Sequence, residues 1–152
     1  MTRPMVYLSS VALFAALAAC GGDAKPAVDQ SAPPASPTAS ADWGAGPLNP
    51  DPGGKVVAVE LTTDGEGSYF KPSEIHVKRG DVVRYTLKVG VHNVHFPADS
   101  NGGRSGFPQT PSDFLQLPGQ TWDLAVKLPA GTYYFQCDPH AALGMKGHLI
   151  VE

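Results

Sequence analysis

The C-terminal part of this chain brings a cysteine, a histidine and a methionine together in one short turn. Cys137, His140 and Met145 follow the aromatic residues 133–135 and precede a final apolar stretch. Soft sulfur donors and an imidazole at such close spacing are typical of a transition-metal site. The segment therefore predicts a metal-binding turn between two strands.

The donor types in this turn favour copper. Thiolate and thioether sulfur suit copper, and two histidines and a cysteine with a methionine as a long axial ligand form a one-electron copper site. The turn supplies only one histidine, and His92, within residues 90–96, is the candidate for the second. We expect His92, Cys137, His140 and Met145 to bind one copper ion.

Short runs of alternating apolar and polar residues dominate residues 55–152. The predicted strands are 55–61, 75–78, 82–89, a strand that carries His92, 120–128, 133–137 and 147–152. Turn residues separate them, and no helical periodicity interrupts them. This pattern predicts an all-β fold, a Greek-key antiparallel β-sandwich of about seven or eight strands.

Strand periodicity sorts the side chains around the predicted site. If His92 faces the metal, Val94 and Phe96 share its side of the strand, and Cys137 likewise shares a side with Phe135. The remaining histidines fall at outward positions, where we expect them to be solvated without a metal role: His76, His95 and His148.

Three segments of the chain resemble the plastocyanin-type cupredoxins. These segments are residues 70–83, the motif His92-Asn93-Val94, and residues 118–152 with the spacing Cys-x2-His-x4-Met. The resemblance covers residues 55–152. It implies a cupredoxin-like sandwich that holds one type 1, or blue, copper ion and carries electrons.

The resemblance also implies roles for residues around the ligands. Asn93 matches the asparagine whose hydrogen bonds join the first-ligand strand to the cysteine turn. Pro139 lacks an N–H, which removes one hydrogen bond to the Cys137 sulfur and influences the potential. His140 matches the ligand through which electrons leave, within an apolar docking patch formed by Pro139, Ala141, Ala142 and Leu143.

A site closed by four protein donors has no vacant position for a substrate, which favours an electron carrier over an enzyme. A membrane-tethered carrier or buffer that delivers copper to another exported protein is the alternative. Photosynthetic plastocyanins have a tyrosine where this chain has Gln136, and paired acidic clusters that this chain lacks. We therefore expect a respiratory redox partner, such as a cytochrome or a copper reductase or oxidase, rather than a photosystem. Separately, we expect the protein to be a monomer.

The N-terminus has the features of an export signal. Residues 1–19 contain Arg3 and an apolar core too short for a lasting transmembrane helix. The ending Leu17-Ala18-Ala19-Cys20 resembles the bacterial lipobox, which implies acylation of Cys20 and anchoring on the periplasmic or cell-surface side of a membrane. In the alternative, the signal is an ordinary secretory one and Cys20 is incidental. Residues 20–54, rich in Pro, Ala and Ser, are predicted to be a disordered tether.

Composition limits the remaining possibilities. A chain of 152 residues accommodates about one domain. The net charge of −3 and the lack of a lysine or arginine run argue against a nucleic-acid partner. The two cysteines, Cys20 and Cys137, could form a disulfide, but each lies in its own motif, so we do not expect one.

Overall fold

The structure of the protein is a computed structural model that describes residues 43, 44 and 46–152. The predicted export signal, the predicted acylation site Cys20 and the predicted tether as far as residue 42 lie outside the described residues. Within the described part, no helix has the length and hydropathy needed to cross a membrane.

Strands form most of the regular structure in the described residues. They are β1 (Trp43–Gly44), β2 (Val56–Asp64), β3 (Gly67–Lys71), β4 (Glu74–Val77), β5 (Val82–Leu87), β6 (Thr121–Ala125), β7 (Gly131–Gln136) and β8 (Lys146–Val151). Two short 3-10 helices, Asp99–Asn101 and Asp138–Leu143, lie in the connections.

The strands form two sheets. One has the order β1-β6-β5-β2-β3 and the other the order β4-β8-β7. The predicted all-β sandwich is confirmed. The pairing differs from the predicted antiparallel arrangement in two places, because β2 pairs with β5, and β4 with β8, in parallel.

Aromatic rings fill the space between the sheets and support the strand that leads to Cys137. Phe135 lies in edge-to-face contact with Phe70, at 4.9 Å between ring centroids, and with Tyr85, at 5.6 Å. Phe96 packs on the same ring at 5.6 Å. Because these rings hold Phe135 from several directions, the backbone that leads from Phe135 to Cys137 is fixed in position.

The region around His92 differs from its prediction as a regular strand. His92 and His95 each form an isolated bridge, with Leu115 and Gln136 respectively. Val94 and Phe96 are buried, as the predicted parity requires. Residues 92–95 therefore pair first with Leu115 and then with Gln136. A regular strand would pair with one neighbouring strand along its whole length.

Residues 43, 44 and 46–54, which we call the strap, differ from the predicted tether because they contact the sandwich. β1 pairs with β6, and the N–H of Leu48 donates to the buried carboxylate of Asp123 at 2.7 Å. Arg84 also donates to Asp123, at 2.7 Å. The strap has few apolar side chains, but its backbone amides and Gly46 allow this close polar contact, which composition does not reveal.

Gly46 should be required for this contact, because a Cβ at this position would lie 2.6 Å from Oδ2 of Asp123. We expect Gly46→Ala to lower the free energy of unfolding by about 1–3 kcal/mol, as overpacking at a buried contact does. Urea unfolding of the metal-free chain measures the change. Gly65→Ala is the matched control, since a Cβ there would meet nothing within 4 Å. Equal midpoints for the two variants would contradict the close packing of the strap.

Candidate metal centre

The turn between β7 and β8 carries three of the four predicted ligands. Cys137 follows β7 directly and precedes the 3-10 helix Asp138–Leu143, which contains His140, and Met145 immediately precedes β8. The N–H of His140 donates to the carbonyl of Cys137 at 3.0 Å, and the N–H of Cys137 donates to the carbonyl of Met145 at 3.1 Å. These backbone bonds close the turn and bring the three residues together.

His92 comes to the same place from the segment that follows β5. Its Nδ1 lies 3.6 Å from Sγ of Cys137, and Nδ1 of His140 lies 3.4 Å from that sulfur. The donor atoms of all three residues lie within 4.8 Å of one another. Among the described residues, this is the group of histidine, cysteine and acidic side chains that could hold a metal ion.

These separations fit a common metal ion. A divalent metal such as zinc binds thiolate at about 2.3 Å and imidazole at about 2.0 Å, so tetrahedral or trigonal angles separate sulfur from nitrogen by about 3.5–3.7 Å. The distance from the Cys137 sulfur to His92, 3.6 Å, lies in this range, and the distance to His140, 3.4 Å, lies just below it. Soft sulfur with two imidazoles is also the donor chemistry that copper prefers. The residues present therefore fit a copper ion.

Burial affects the protonation of the donors. Cys137, His92 and Met145 are fully buried. Burial raises the pKa of the Cys137 thiol and, with the neighbouring His140, lowers the pKa of His92. At neutral pH the metal-free centre thus holds a neutral imidazole at His92 and a protonated thiol, and metal binding must displace the thiol proton.

Hydrogen bonds that the sequence did not indicate orient the His92 ring. Its Nε2 lies 3.1 Å from the carbonyl oxygen of Val89, so it carries the hydrogen, and 3.1 Å from Oγ1 of Thr63. In the neutral ring this leaves the lone pair on Nδ1, which faces Cys137. Gly90 allows this arrangement, since a Cβ there would lie 2.6 Å from Nε2. No sequence motif marks these partners, because they come from separate strands and from a backbone carbonyl.

Asn93 lies between the two ligand segments, where the resemblance leads us to expect it. Its Oδ1 accepts a hydrogen bond from the N–H of Asp138 at 2.8 Å, and its Nδ2 donates to Oδ2 of Asp138 at 3.0 Å. Pro139 is exposed and occupies the start of the 3-10 helix. Pro lacks an N–H, so this residue cannot donate to the sulfur.

His95 is closer to the centre than the sequence indicated. We predicted a solvated histidine, but its Nδ1 lies 2.7 Å from Oδ1 of Asp138, next to Cys137. His76 and His148 are exposed, as predicted. A histidine that alternates out of the core gives no sequence signal for a partner 43 residues away.

The sequence is similar to that of known copper-binding proteins. The sequence profile of the family described as copper binding proteins, plastocyanin/azurin family, matches residues 57–152. A plastocyanin of Scenedesmus fuscus is 33% identical over 98 residues, which cover 63% of this chain and 99% of that protein.

Two further relatives have similar levels of identity. A chloroplastic plastocyanin of Hordeum vulgare is 32% identical over 104 residues, which cover 66% of each chain. Among solved structures, an oxidised mutant of amicyanin matches with a TM-score of 0.50 and 28% identity, covering 63% of this chain and 81% of that chain. The matched region contains all four predicted ligand residues.

Proposed function

Because this chain belongs to the plastocyanin/azurin family of copper-binding proteins, we propose that it carries single electrons between exported or membrane redox partners. Its ligands would be His92, Cys137, His140 and Met145. The observation that carries the proposal is the convergence of two imidazoles and one thiol within 4.8 Å in a buried site. When bound, copper supplies a one-electron couple between its two oxidation states.

The protein side chains would hold this centre without a position for a substrate. Val89 and Thr63 keep the His92 ring in one orientation, and the backbone bonds of the turn hold Cys137 near His140. Met145 is fully buried beside them. A centre that is closed and prevented from rearranging suits electron transfer and leaves no open site for catalysis.

His140 is the proposed point at which electrons leave. It is the partly exposed residue of the four, whereas the others are buried. Apolar residues near the two histidines in the chain or in strand pairing are exposed, except for the partly exposed Ala141. We call them the apolar face: Val91, Phe114, Leu117, Pro139, Ala141, Ala142 and Leu143. Leu143 and Leu117 are 77% and 65% exposed.

The chain itself places residues of the apolar face close to His92 and His140. Val91 precedes His92, Phe114 precedes the residue that pairs with His92, and Leu143 lies in the same 3-10 helix as His140. The rings of His92 and His140 are 4.9 Å apart. An exposed apolar group next to a redox centre fits a short-lived contact with a redox protein, for which a cytochrome or a copper reductase or oxidase is our candidate. We propose that the domain meets it as a monomer.

Leu143→Glu should slow electron transfer through this face. We expect the rate of electron self-exchange between two copies of the protein to fall about tenfold, because two carboxylates would meet at a desolvated contact. Line broadening in mixtures of the oxidised and reduced protein measures this rate. The control is Val56→Glu, which lies on the same strand as Thr63 but about 23 Å from it (seven residues at about 3.3 Å each). If the control slows the exchange as strongly, the apolar face is not the contact.

Cys137→Ser should remove the colour of the copper protein. The intense visible absorption of a thiolate bound to Cu(II) requires the Cys137 sulfur, so we expect that absorption, and the matching electron spin resonance signal, to disappear completely. Voltammetry of the unaltered copper-loaded chain should give a reversible one-electron wave. A variant that stays blue would refute the ligand assignment. Rapid copper release by the unaltered chain without a stable redox couple would favour a copper carrier instead.

We also propose that Cys20, after export and acylation, anchors the domain to a bacterial membrane on its periplasmic or cell-surface side. The support is the sequence alone, an apolar segment that ends in Leu17-Ala18-Ala19-Cys20. Because a lipid chain supplies the membrane affinity, Cys20→Ala should move the protein from the membrane to the soluble fraction while the blue colour remains. Cys137→Ser is the control, which should lose its colour but stay with membranes. Continued sedimentation of the Cys20→Ala variant with membranes would rule out the anchor.

A further inference from the structure

The carboxylate of Asp138, the residue after Cys137, accepts hydrogen bonds from three side chains. Nδ1 of His95 lies 2.7 Å from Oδ1, Nε2 of Gln136 donates to the same oxygen at 2.9 Å, and Nδ2 of Asn93 donates to Oδ2 at 3.0 Å. The side chain is 34% exposed, so water could satisfy part of its hydrogen-bonding capacity instead. The convergence of three donors indicates that the position of this carboxylate matters.

The donors come from both segments that carry ligands. Asn93 and His95 follow His92, whereas Gln136 immediately precedes Cys137. The backbones of His95 and Gln136 also exchange two hydrogen bonds of 2.9 Å. Asp138 therefore connects the His92 segment to the Cys137 turn at side chains as well as at the backbone.

The contact between His95 and Asp138 depends on which ring nitrogen of His95 carries a hydrogen. Oδ1 of Asp138 also accepts a hydrogen bond from Nε2 of Gln136, and carboxylate oxygens are acceptors. Nδ1 of His95 must then be the donor, and a hydrogen bond to a charged acceptor is stronger than a neutral one.

We propose that His95 is a positioning residue of the metal centre. It holds the Asp138 carboxylate, and through it the Cys137 sulfur, at a set distance from His92. The inference rests on the proposed function for the identity of the metal, but the restraint on Cys137 exists in the metal-free protein too. An outer hydrogen bond of this kind fixes the orientation of a ligand rather than contacting the metal.

Three variants test the role of His95. His95→Leu removes the donor, whereas His95→Asn keeps an N–H at about the position of Nδ1. The matched control is His76→Leu, because His76 also contacts a carboxylate, Glu152, at 3.2 Å, but lies on β4 and is 55% exposed. Circular dichroism and urea unfolding establish that each variant is folded before the measurements.

The first measurement uses the metal-free protein. The rate at which the Cys137 thiol reacts with a small aromatic disulfide reports how firmly the turn is closed, since a buried thiol reacts only when it becomes accessible. Cys20→Ala is included in every variant so that one thiol is counted. We expect His95→Leu to react severalfold faster than the unaltered His95 protein, and His95→Asn and His76→Leu to react at its rate.

The second measurement uses copper. Competition with a chelator should show copper affinity about tenfold lower for His95→Leu, the lower end of the effect of removing such a hydrogen bond. The reduction potential should shift as well, while His95→Asn and His76→Leu remain near the value of the unaltered protein. A change shared by His76→Leu, or equal losses in His95→Leu and His95→Asn, would overturn the proposal.

The two measurements separate this inference from the proposed function. If the unaltered chain fails to bind copper, the proposed function is wrong, yet the thiol rates still decide whether His95 restrains Cys137. If copper binds and thiol rates are the same in all variants, the proposed function stands and the role of His95 is refuted.

Discussion

The metal centre depends on one junction, where the segment after β5 meets the turn after β7. Asn93 and Asp138, 45 residues apart in the chain, are joined by two hydrogen bonds of 2.8 and 3.0 Å. One of these bonds satisfies the backbone N–H at the start of the ligand turn, which would otherwise compete for the sulfur or for water. His92 lies next to one end of the junction and Cys137 next to the other. This contact therefore restrains the distance between Nδ1 of His92 and Sγ of Cys137.

The core determines how firmly that junction is held. Phe135 is enclosed by Phe70, Tyr85 and Phe96, and Phe96 itself belongs to the segment that carries His92. The same packing that stabilises the sandwich thus fixes the approach of both ligand segments. A centre built on a packed core changes shape little when its charge changes, which is the condition for rapid electron transfer at a metal.

The four proposed ligands differ in burial. His92, Cys137 and Met145 are buried, which would exclude water from a bound metal, whereas His140 is partly exposed, in the same 3-10 helix as the exposed Leu143. Along the edge of the five-stranded sheet, β1 of the strap pairs with β6, and Gly46 packs against the buried Asp123. The strap therefore covers an edge of β6 that could otherwise pair with another chain.

The sequence by itself determined the chemistry of this protein and most of its strands. The spacing of Cys137, His140 and Met145 is local, and a two-residue period separates buried from exposed positions such as Val94 and His76, so both can be interpreted without knowing the fold. Only the tertiary structure decided which groups orient His92, that His95 contacts Asp138, and that the strap belongs to the sandwich. The physical reason is that these contacts join residues far apart in the chain, often through backbone atoms that every residue possesses, and such contacts leave no pattern in a sequence.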